Sequence, residues 1–177
     1  VFDDIPPEAV DAGDLARLAT VATENRVGVV FFAGEFFAGN GNHTSWTDSA
    51  IGHLLPVKVD KETARLKGDD MRITVIDKDF CPFPAKVAEL PPVEEFTMLD
   101  VKPGARVVVS AMDTRGETYP LLVWWKVGQA RIVVWAGSSD DFHRWKTEDF
   151  VRDSGADNGP SLVEKIIVFA AEEEQTD

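Results

Sequence analysis

The 177 residues are 44% hydrophobic and 28% charged, a length and balance that suit one soluble domain with its own core. The 31 acidic residues against 18 basic ones leave a net charge of -13, whose field repels phosphate backbones and anionic headgroups and so excludes nucleic acid and membrane surfaces as natural partners. The single cysteine, Cys81, excludes an internal disulfide framework, no CxxC or His/Cys cluster offers structural zinc, and no apolar run approaches the ~18–20 residues that span a bilayer.

The chain opens on Val1-Phe2-Asp3-Asp4, which reads like the end of a buried strand and leaves room for residues ahead of it. After the Pro6-Pro7-Glu8 turn, Leu15, Leu18, Val21 and Ala22 recur at helical spacing, which predicts a helix over about Asp14 to Glu24 with Asp14 as N-cap. The continuously apolar Val27-Gly28-Val29-Val30-Phe31-Phe32 predicts a strand buried on both faces. Strand, helix and buried strand in succession make a βαβ unit with parallel pairing.

A loop from Glu35 to Trp46 follows, rich in glycine and asparagine, and then a short helix from about Thr47 to Leu55, which Pro56 stops before the brief strand Val57-Lys58-Val59. Arg72 to Ile76 alternates as a half-exposed strand does, and the proline-rich run from Phe80 to Pro92 reads as a packed loop. Strands over Ala105 to Ala111, Pro120 to Lys126 and Arg131 to Ala136, joined by turn signals at Asp113-Thr114-Arg115-Gly116 and Gly128-Gln129, predict a β-meander. A C-terminal helix begins at Pro160-Ser161 and carries Leu162, Val163, Ile166, Ile167 and Phe169.

Several segments resemble the glutamine-amidotransferase-like domains related to the trehalose-utilisation-like group. They are Phe2-Asp3-Asp4-Ile5-Pro6, the strand Gly28 to Gly34, Leu54 to Val57, Leu90-Pro91-Pro92, Lys102-Pro103-Gly104-Ala105, Pro120-Leu121-Leu122-Val123 and Val127 to Ile132. The resemblance implies an α/β fold: a flavodoxin-like three-layer sandwich with a mainly parallel sheet, the meander being an antiparallel extension in the C-terminal half. Residues 1–177 then form a single domain of that kind, as the C-terminal part of a longer chain if residues do precede Val1. In active relatives a cysteine nucleophile stands on the turn after a buried strand, with a base beside it. Here the turn after Phe32 is Ala33-Gly34-Glu35-Phe36, with neither thiol nor hydroxyl. Cys81, between Phe80 and Pro82, reads as a small buried hydrophobe. No catalytic residue, metal ligand or cofactor is assigned.

The ends of parallel strands are where α/β sheets place ligands, so the candidate ligand edge comprises Gly34, Glu35, Asn40, His43, Asp140, Asp141 and His143. Glu35 and His43 have the chemistry of an acid/base or metal-binding pair. The bland reading is a solvated loop that Phe36, Phe37 and Trp46 anchor to the body, and it is the one favoured. Trp124 and Trp125 are neighbours on a strand and point to opposite faces, so one at least is core. With Trp135 they form a candidate interface, unless the C-terminal helix covers them. The function these features suggest is a non-catalytic binding or assembly module in a larger protein or complex, with a protein partner or homo-oligomer. The rival is a hydrolytic or metal-dependent enzyme using Glu35, His43 and His143. No cellular address is legible.

Overall fold

The computed structural model describes residues 1–39, 41–60, 65–68, 70–80, 89–90, 93–139 and 162–171. Its centre is β2 (Gly28–Phe32), in which Val29, Val30, Phe31 and Phe32 are all buried, as the unbroken apolar run requires. On one side β2 pairs in parallel with β1 (Phe2–Asp3), through Phe2 opposite Phe31 and Asp3 opposite Phe32. On the other it pairs in parallel with β11 (Ala130–Trp135) along its whole length, from Gly28 opposite Arg131 to Phe32 opposite Trp135.

From β11 outward the pairing turns antiparallel. β11 meets β10 (Thr118–Val127), which meets β9 (Arg106–Met112), then β5 (Arg72–Val75) and β6 (Glu89–Leu90), giving the sheet order β1-β2-β11-β10-β9-β5-β6. Two small antiparallel pairs stand apart from this sheet: β3 (Val57–Lys58) with β8 (Asp100–Val101), and β4 (Arg65–Lys67) with β7 (Glu95–Thr97).

This arrangement overturns the expectation of a flavodoxin-like α/β three-layer sandwich with a mainly parallel sheet. The chain is mostly β, and its sheet is mixed, with two parallel pairings, β1–β2 and β2–β11, against four antiparallel ones. The described residues hold two α-helices, α1 (Ala12–Glu24) and α2 (Leu162–Ala171). The physical reason lies in the connections. A parallel neighbour needs a crossover of a dozen residues or more, which β1-α1-β2 has, whereas the short turns flanking β10 can only reverse the chain. The second parallel partner of β2 arrives a hundred residues later, beyond anything local pattern reports.

Local expectations fared unevenly. The meander is present as β9-β10-β11. The N-cap of α1 is Asp11 rather than Asp14: its Oδ1 accepts the Gly13 N–H at 2.8 Å and the Asp14 N–H at 3.3 Å. The helix expected from Thr47 to Leu55 is instead two 3-10 turns, Trp46–Asp48 and Gly52–Leu54. The chain folds so tightly between them that a Cβ at Gly52 would lie 2.1 Å from the Thr47 carbonyl oxygen.

Alternation along the strands assigns the two faces of the sheet. On one, Gly28 lies beneath the backbone of α2, where a Cβ would come within 2.6 Å of the Ala170 carbonyl. Arg131, beside Gly28 on β11, donates to the Phe169 carbonyl, and Trp124 meets the Phe169 ring edge-on at 5.6 Å. On the other face Phe31 stacks on Phe2 at 4.8 Å and packs against Trp46 and Phe37 at 5.1 and 6.0 Å. Each of these buried apolar side chains contributes roughly 1.5–3 kcal/mol relative to exposure. Together they hold the strand ends at which a site would stand.

Candidate functional site

The parallel strands β1, β2 and β11 end on the same side of the sheet, at Asp3-Asp4, Ala33-Gly34 and Ala136-Gly137. Thr97, at the end of β7, ties two of these ends together. Its N–H donates to the Ala136 carbonyl at 2.8 Å, and its fully buried hydroxyl donates to the Ala33 carbonyl at 2.7 Å. Across β1, the Ser139 hydroxyl donates to Asp3 Oδ2 at 2.6 Å.

Asp4 is the structural key of this edge. It has a φ of 45°, the left-handed region in which Asp is among the few residues tolerated other than glycine. That turn aims its carboxylate at the segment just after β2, where Oδ1 accepts the Phe36 N–H at 3.0 Å and the group rests against the bare Cα of Gly34. A Cβ at position 34 would stand 2.3 Å from Asp4 Cγ. The end of β2 is therefore closed by an internal carboxylate.

The loop that follows is anchored from within. Phe37 and Trp46 are buried, Trp46 donates its N–H to the Phe37 carbonyl at 3.0 Å, and its indole Nε1 donates to the Ile5 carbonyl at 2.7 Å. Gly39 adopts a φ of 83°, and its Cα faces the backbone of His43 and Ser45 so closely that a Cβ would lie within 3 Å of both. The exposed tip is held by Glu8, whose Oε1 accepts the Thr44 N–H at 2.6 Å while His43 Nδ1 lies 3.7 Å from Oε2. The Thr44 hydroxyl, the Thr44 N–H and Glu8's own backbone hold the Glu8 carboxyl down to about 2.

The predicted edge residues are thus placed in two groups. Gly34 is buried at the strand end and Glu35 beside it is exposed. His43 is exposed at the loop tip, edge-on to the Phe36 ring at 5.2 Å and facing Glu8. Asn40, Asp140, Asp141 and His143, like Cys81, lie outside the described residues. Among the described residues no group of three or more His, Cys, Asp or Glu side chains is placed to hold a metal ion.

Of the three tryptophans read as an interface, Trp124 and Trp135 are buried, with 3% and 0% exposure, and α2 supplies the cover for Trp124. Trp125 faces the other way, half-buried, and donates Nε1 to the Leu54 carbonyl at 2.7 Å. On the α2 side, Arg106 lies over Phe80 at 4.2 Å and Trp124 at 5.7 Å, and Arg131 lies over Trp124 at 4.9 Å and Phe169 at 4.5 Å. Sequence reasoning missed Asp3, Asp4, Glu8, Thr97 and Ser139 as edge residues. The signal available was the acid pair at the end of the first strand; nothing local marks Thr97 or Ser139, which arrive from distant elements.

No family model and no curated protein matches the chain. In fold it is similar to the cytoplasmic protein STM3548 from Salmonella typhimurium, with a TM-score of 0.66 and 13% identity over 92% of this chain. It is also similar to the cytoplasmic protein STM1381 from Salmonella typhimurium LT2, with a TM-score of 0.58 and 21% identity over 85% of this chain. The chain spans 61% and 59% of those two proteins, respectively. At such identities the likeness concerns fold alone. No described helix is long and apolar enough to cross a membrane.

Proposed function

We propose that this chain is a non-catalytic binding or assembly module of a larger protein or complex. The observation that carries the reading is the outer flank of β2. Four of its five residues are buried, yet β1 pairs with it only at Phe31 and Phe32, so residues 28–30 have no strand on that side among the described residues. A core strand with an open flank is a template for pairing with another segment.

The test is hydrogen exchange at Gly28 and Val30, whose amides face this flank while that of Val29 faces β11, together with light scattering on the purified chain. Exchange at these amides is expected to be fast in dilute protein and to slow as a species heavier than 19.5 kDa forms or a partner is added. If they exchange as slowly as the middle of β10 in a concentration-independent monomer, the flank is closed within the chain and the reading fails.

A further inference from the structure

We draw no further inference here: the strongest candidate, the cluster of Arg106, Trp124 and Arg131 on the α2 face of the sheet, carries nothing because its cations already stack on Phe80, Trp124 and Phe169 and its central ring is buried under α2.

Discussion

Replacing Gly34 by Ala tests whether Asp4 closes the end of β2. The three atoms nearest the new Cβ, at 2.3, 2.4 and 2.7 Å, all belong to the Asp4 carboxyl group, so relief comes from rotating that side chain away. Rotation gives up the bond from the Phe36 N–H, and a hydrogen bond to a charged group is worth about 1.5–3 kcal/mol, with the lower half suited to a half-buried site. Gly34→Ala should therefore cost about 2 kcal/mol in the native background. Asp4→Gly loses the same bond but relieves a left-handed residue of about 1 kcal/mol, for a net cost of about 1 kcal/mol. With the carboxylate gone, Gly34→Ala should be neutral, or stabilising by about 0.5 kcal/mol through the stiffer unfolded chain. Urea unfolding followed by far-UV circular dichroism measures all four corners of the cycle, with the denaturant slope expected to stay constant. Additivity to within about 0.5 kcal/mol would refute the contact and with it the argument that the strand end is filled.

Gly28→Ala should shift α2, because its Cβ meets main-chain atoms of Ala170 and Ala171 that cannot rotate away; overpacking of this kind costs about 1–3 kcal/mol. The near-UV dichroism of Trp124, packed on Phe169, should change with it, and an unaltered spectrum at native stability would contradict the packing. Thr97→Val keeps the shape but strips the buried Ala33 carbonyl of its hydroxyl donor, a loss of about 1–3 kcal/mol to be read from urea midpoints. For Glu8 the folded carboxyl lies at about 2, below its ordinary 4.5, so its contribution is full above pH 4.5 and fades as pH falls through about 2. Glu8→Gln should flatten the acid limb of stability in that window, and a Glu8 titration near 4.5 by NMR would show that Thr44 is not held.

Little of the candidate site was legible in the sequence. Gly34 and Glu35 were placed correctly at the end of a buried strand, since an apolar run followed by Ala-Gly announces where a strand leaves the core. Asp4 was visible only as part of an opening turn. Its role depends on a positive φ and on the approach of Gly34 from thirty residues away, and neither has a local signature. His43 stood out as a histidine in a loop, but the carboxylate that faces it comes from the turn after β1.

By itself the sequence determined whatever is periodic or contiguous. The apolar stretch at 28–32, the helical spacing in α1 and the short turns of the meander each follow from the burial pattern or conformational limits of a few neighbouring residues. Fold class was decided elsewhere. The local βαβ pattern suggested a parallel sheet, and only the tertiary structure showed that β11 returns to lie parallel on β2 and carries an antiparallel series beyond it. The fate of the tryptophans was decided in the same way. Alternation requires Trp124 and Trp125 to face opposite sides, but what covers each depends on distant segments: α2 lies over Trp124, with Gly28 leaving room for the backbone at Ala170, and the turn at Leu54 meets Trp125. Partnership between distant segments is a matter of volume and of unpaired backbone groups, which exist only once the chain has folded.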